Sequence, residues 1–195
     1  MTTAKSAVRP SARERLLNSA NELFYAEGVQ SVGIDRIIEH AGVAKASLYN
    51  TFGGKEQLIR AYLDKRHGVV TERITRTVAR YEDPAERLLA VFEAQGMVFG
   101  DPDYHGCPFV AASVEASPDG LIQEATDTYR AWLRALFAQL SQEAGAADPE
   151  SLARQLHLVY DGAHITARMD HDPTAAQTAR AAATALIAAA TGACG

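Results

Sequence analysis

Residues Gly28 to Leu58 read GVQSVGIDRIIEHAGVAKASLYNTFGGKEQL. In this stretch a short apolar-patterned helix, Ile34 to Ala41, runs into Ala41-Gly42-Val43, and a second short helix follows from Lys45. Gly42 stands where the chain must turn sharply, and a positive φ costs glycine least. Ile34, Ile37, Ile38, Val43 and Leu48 are spaced to pack the two helices together. The pattern predicts a helix-turn-helix, which leaves one face of its second helix free. On that face stand Lys45, Ala46, Ser47, Tyr49 and Asn50, a mixture of charge, hydroxyl, aromatic and amide able to meet phosphates and base edges in a major groove.

Outward from this segment the chain continues to read as helix. The pairs Asp83-Pro84, Asp148-Pro149 and Asp172-Pro173 each set a capping carboxylate before a proline suited to the first helical position. Between them apolar residues recur at helical spacing, as in Leu88, Leu89 and Phe92, or Leu152, Leu156, Val159 and Tyr160, with no sustained alternation. The expected fold is all-α, with about nine helices: Ala12 to Glu27, Ile34 to Ala41, Lys45 to Thr51, Lys55 to Arg80, Pro84 to Gly100, Pro108 to Ala116, Leu121 to Glu143, Pro149 to Met169 and Pro173 to Thr191. The expected division is an N-terminal three-helix helix-turn-helix domain over 1–54, with 1–11 a flexible arm, and a C-terminal helical domain over 55–195.

Of the 195 residues 47% are hydrophobic and 22% charged, a globular composition. The longest apolar stretch, Ala181 to Ala190, is short of the ~20 residues of a membrane span, so no membrane partner is expected. The opening MTTAKSAVRPSARERL has charges but no apolar core, so a cytoplasmic location is expected. Cys107 and Cys194 lie far apart with no CxxC, against a zinc knuckle or a disulfide framework. The net charge of -5 hides an asymmetry: Met1 to His67 holds 10 Lys+Arg against 7 Asp+Glu, and the remainder 9 against 17. All four lysines, Lys5, Lys45, Lys55 and Lys65, fall in the basic part, as suits a small module facing phosphates ahead of an acidic body.

The run Gly42-Val43-Ala44-Lys45-Ala46-Ser47-Leu48-Tyr49, then Phe52, then Lys55-Glu56, resembles the signature of the TetR family of bacterial repressors. The likeness reaches back through Gly28, Phe24 and Ala20 to about Leu16. It implies a homodimer that binds near-palindromic double-stranded operator DNA and is released when a small-molecule effector occupies the C-terminal domain. The DNA-contact candidates are Ser31, Gly33, Ala44, Lys45, Ala46, Ser47, Tyr49, Asn50, Thr51 and Lys55. Two positions depart from the family pattern. Gly33 stands where a threonine or serine usually touches phosphate, and Asn50-Thr51 replaces a step that often carries histidine. The last two helices would pair with their symmetry mates, and their stripes are Leu152, Leu156, Val159 and Ala163, then Ala179, Ala183, Leu186 and Ile187.

For the C-terminal domain, Phe92, Phe99, Tyr104, Cys107, Phe109, Tyr129, Trp132, Tyr160 and His164 are candidates to line an apolar effector pocket; ordinary core is the alternative for each aromatic. His105-Gly106-Cys107-Pro108-Phe109 resembles a Gly-Cys opening of the sixth helix found in one branch of the family. In some similar regulators a cysteine there is a reactive switch. Cys107 at a helix N-terminus near His105 would then favour thiolate; the other reading is a buried, inert cysteine. Cys194, one residue from the C-terminus, is read as a bystander. His157, Asp161 and His164 share one helix face, but three residues of one straight helix do not converge on an ion, so no metal is assigned. An enzyme built on Cys107, His105 and Asp103 or Asp119 has no GxSxG, HExxH or phosphate loop beside it, so no catalytic site or cofactor is assigned.

Overall fold

The computed structural model describes residues 10–192, and there the chain is all-helical, with no strand among the described residues. The helices are α1 (Ala12–Glu27), α2 (Ile34–Ala41), α3 (Lys45–Phe52), α4 (Lys55–Val78), α5 (Pro84–Gly96), α6 (Pro108–Glu115), α7 (Leu121–Glu143), α8 (Pro149–Met169) and α9 (Ala175–Thr191). Most of the expected arm and Cys194 lie outside the described residues. No described helix is long and apolar enough to cross a membrane.

Local capping chemistry sets most of these boundaries. Ser11 opens α1 in a capping box: its hydroxyl accepts from the Glu14 amide at 3.2 Å, and the Glu14 carboxylate accepts from the Ser11 amide at 2.8 Å. Asp83 and Asp148 cap α5 and α8 as expected, accepting from the Glu86 amide at 2.9 Å and the Ser151 amide at 3.0 Å, each with proline next in the chain. The third Asp-Pro pair behaves differently. The Asp172 carboxylate accepts from the Thr174 amide at 2.8 Å and its hydroxyl at 2.7 Å, so Pro173 sits in a turn and α9 starts at Ala175. Helix α5 stops at Gly96 instead of Gly100, because the Phe99 and Asp101 amides close tighter turns onto Gly96 and Val98. Helix α4 likewise ends at Val78, where the Arg80 amide turns back to Thr77.

Two packing regions share α4. Near its start, Leu58, Ile59, Tyr62 and Leu63 are buried and close the core that Leu16, Ala20, Phe24, Ile37 and Leu48 build from α1 to α3. Further along, Ile74, Thr77 and Val78 are buried where α4 packs on α5 and α7. Helices α8 and α9 pack on each other and flank α7 and α5. Gly42, at φ 60, makes the left-handed turn between α2 and α3, and the Arg15 guanidinium of α1 caps the end of α2 by donating to the Ala41 carbonyl at 3.2 Å and the Gly42 carbonyl at 2.8 Å. Arg15→Met leaves both carbonyls, the first of them partly buried, without a charged donor. The substitution is expected to cost about 1.5–3 kcal/mol. A denaturant midpoint equal to that of the unsubstituted chain would show that Arg15 does not hold the turn.

Candidate nucleic-acid interface and interior cavities

The N-terminal helices present a continuous polar edge. On α3, Lys45, Ala46, Tyr49, Asn50 and Thr51 are exposed, Ser47 is half-buried, and Leu48 alone points fully inward. Tyr49 is 46% exposed, too much for a core aromatic, whereas Phe52 is partly buried with the Arg13 guanidinium 5.4 Å from its ring centre. Lys45 pairs with Asp35 of α2 at 2.8 Å across open solvent, and that carboxylate raises its pKa. A fully exposed pair of this kind is worth little, so the ammonium can leave it for a phosphate.

Beside α3 stand the starts of two other helices. Gly33 is the N-cap of α2 in extended backbone, with no side-chain cap and open space where a Cβ would be. The first amides of α2 are therefore bare, next to exposed Ser31 and Ala44. Lys55 begins α4, and its ammonium donates to the Gln30 carbonyl at 3.2 Å, tying α4 to the α1–α2 connection.

Behind this module lie two neighbouring cavities that share the wall Tyr25, Gly106, Cys107, Pro108 and His164. The larger, about 450 Å3, opens between the end of α1, the start of α6 and the end of α8. The inner one, about 110 Å3, is lined by α4, the α5–α6 connection, α7 and α8, with Arg66, Arg73, Tyr104, Phe109 and Tyr129 among its residues. The Tyr25 hydroxyl bridges the two domains' walls, donating to the Gly106 carbonyl at 3.1 Å and accepting from the His105 amide at 3.1 Å. The other expected pocket residues are spread out. Phe99 packs on Tyr104 and His164 with ring centres 5.1 and 5.3 Å apart, and Tyr160 is 5.0 Å from His164. Phe92 sits one layer back against Phe137 and Tyr160, and Trp132 faces an outer groove beside His67. Arg15, Arg73 and Tyr25 were not singled out in the sequence. A lone arginine on an amphipathic helix gives no sign of what it meets across the fold.

Residues 16–62 match the model of the bacterial regulatory proteins of the tetR family, and residues 84–183 match the tetracyclin repressor-like C-terminal domain. The chain belongs to the TetR family. Its relatives include the HTH-type transcriptional regulator LmrA of Bacillus subtilis, 29% identical over 135 residues, which are 67% of this chain and 72% of the relative. A TetR-family transcriptional regulator from Streptomyces coelicolor has a solved structure with a TM-score of 0.87 at 31% identity, covering 92% of this chain and 96% of that one. A TetR transcriptional regulator from Chloroflexus aurantiacus shares the fold at a TM-score of 0.80 and 24% identity, covering 90% of this chain and 93% of that one. This chain is a helix-turn-helix transcriptional regulator of that family.

Of the two readings of Cys107, the buried cysteine is the one that fits this TetR chain. Cys107 does cap α6, and the amides of Val110 and Phe109 favour the anion, but burial outweighs them and pushes the thiol up to about 11. The His105 ring lies edge-on to Tyr25 with centres 5.3 Å apart. The three polar residues of α8 also part company. His157 lies 3.7 Å from Asp161, which pairs with Arg130 at 2.8 Å, while His164 Nδ1 accepts from the Tyr104 hydroxyl at 2.7 Å.

Burial, and then the charge of Arg73, lower the His164 pKa to about 3. In the unfolded chain the same imidazole titrates near 6.5. Below that pH the unfolded chain binds a proton that the folded chain refuses, so stability falls as pH drops toward 3. The loss between pH 6.5 and 5 is about 2 kcal/mol for this group. His164→Gln, which keeps an acceptor for Tyr104, is expected to flatten the dependence of the urea midpoint on pH in this window; an unchanged slope would mean that His164 titrates normally.

Proposed function

We propose that this chain is a cytoplasmic transcription repressor that holds a near-palindromic operator as a homodimer and lets go when a small molecule enters its C-terminal domain. The observation that carries this reading is the single exposed edge formed by the outer face of α3 and the starts of α2 and α4. Lys45, Ser47, Tyr49, Asn50 and Thr51 of α3 are suited to groove and phosphate contact, with Ala44 and Ala46 allowing close approach. Ser31, the bare amides after Gly33, and Lys55 suit the flanking phosphates. The working division is a DNA-binding domain over 1–54 and an effector and dimerisation domain over 55–195, with α4 starting at the boundary.

The exposed face of α8 supports the dimer. Leu158, Gly162, Ile165 and Met169 follow one another at i, i+4, i+7 and i+11, and Leu158 and Met169 are 75% and 73% exposed. Beside them α9 turns out Ala181, Ala185 and Ala189, small enough for close helix contact. Leu152, Leu156, Ala163, Ala179, Ala183 and Ile187 are buried within the chain's own core, so they do not supply this face.

The direct test is binding to duplexes from the promoters flanking the chain's own gene, followed as salt is varied. Specific binding is expected, and Lys55→Ala should weaken it while reducing the log–log salt slope by about one counterion. Absence of any specific duplex binding would sink the proposal, and an unchanged slope would remove Lys55 from the phosphate contacts. Ile165→Glu puts a charge at the centre of the α8 face and is expected to give a folded monomer that binds the operator weakly. Light scattering that shows an unaltered dimer would place the interface elsewhere.

A further inference from the structure

The inner cavity holds a charge that nothing in the described chain answers. Arg66 and Arg73 stand two turns apart on the same side of α4 and both line it. Arg66 is engaged: although its Nε is buried without a partner, its guanidinium lies 3.8 Å over the Tyr25 ring centre and donates to the Asn21 carbonyl at 3.4 Å. Arg73 is half-buried, its Nε is fully buried with no hydrogen-bond partner, and it belongs to none of the ion pairs among the described residues.

A partly buried guanidinium without a carboxylate is costly, because it gives up hydration and gains no partner. The groups that face it do not relieve that cost. The Tyr104 hydroxyl is hydrogen-bonded to His164, and Tyr129 and Val70 offer ring and alkyl surface. Asp101 and Asp103 also reach the lining, but both are exposed to solvent, and Asp101 accepts from the Asp103 amide at 2.9 Å rather than from Arg73. The larger cavity has no comparable group: its arginine, Arg168, is exposed.

We propose that the inner cavity is the effector site and that the effector is a small organic acid, whose carboxylate or equivalent anion pairs with Arg73 while its apolar or aromatic body lies against Val70, Phe109 and Tyr129. The planar fork of a guanidinium takes two oxygens of one carboxylate, and the surrounding rings suit a flat apolar body. A cavity of about 110 Å3 favours a compact acid over a drug-sized molecule. Buried His164 stays neutral at neutral pH, so it adds no second cation to the cavity wall. This inference rests on the effector-released repressor reading and names the chemistry of its effector.

The test uses the full chain and four acids, benzoate, salicylate, cinnamate and octanoate, each beside its own carboxamide as a neutral isostere. At least one acid is expected to raise the thermal midpoint in a concentration-dependent way while its amide does not. By calorimetry Arg73→Met should weaken that acid by at least about tenfold, the loss expected when a charge-assisted pair is removed, and Arg73→Lys should retain part of the affinity. Without any acid, Arg73→Met should melt no lower than the unsubstituted chain, since it removes an unpaired charge and keeps the alkyl stem. The proposal is overturned if no acid shifts the midpoint, if an amide binds as well as its acid, or if Arg73→Met leaves acid binding intact. The same compounds added to the operator complex separate the two ideas. Release by amides and not by acids keeps the repressor and rejects the anion site, whereas Arg73-dependent acid binding without release keeps the anion site and rejects effector release.

Discussion

Helix α4 is buried against two sets of neighbours at once, and the placement of every site depends on that double burial. Its first turns close the core of α1 to α3 through Leu58, Ile59, Tyr62 and Leu63, and its last turns enter the C-terminal bundle through Ile74, Thr77 and Val78. Each fully buried side chain of this kind is worth about 1.5–3 kcal/mol, so neither end of α4 can separate from its partners cheaply. One rigid rod therefore carries Lys55 at the polar edge and Arg73 in the inner cavity.

The chemistry on either side of α4 follows from opposite treatments of charge. At the polar edge the ionic groups are exposed and weakly committed, as in the Lys45–Asp35 pair, so they can be exchanged for phosphates at little cost. In the interior the same kinds of group are held under desolvation. His164 is kept neutral, Cys107 is kept protonated, and the Arg73 Nε is buried with no partner among the described residues. Burial turns Cys107 from a candidate sensor into a wall residue, although its position at the start of α6 is the one that favours a thiolate in a more open site.

A second link between the halves runs outside α4. The Glu115 carboxylate at the end of α6 accepts from the Gln30 amide at 2.7 Å, and the Gln30 side chain donates to the Glu115 carbonyl at 3.2 Å. With the Tyr25 hydroxyl on Gly106 and His105, these bonds tie both ends of α6 to α1 and the turn after it. The segment that walls both cavities thus bears directly on the three-helix module.

The helices, the turn at Gly42 and the family are legible along the chain, because these depend on local periodicity, capping and a dense short motif. Four of the nine helices among the described residues have the expected limits, and the departures occur where a side chain or a tighter turn intervenes, as at Asp172 and after Gly96. The exposed face of α3 was equally legible, since Leu48 is the inward member of its pattern. Tertiary structure alone decided which aromatics meet, that Phe92 lies behind the cavity and Trp132 outside it, and that α8 turns Leu158, Ile165 and Met169 outward while its other stripe stays in the core. It also decided that Arg15 caps α2 and that Arg73 stands unpaired among the described residues. An ionic group's role is set by the dielectric around it and by partners distant in the chain, and neither is written in its neighbours along the sequence.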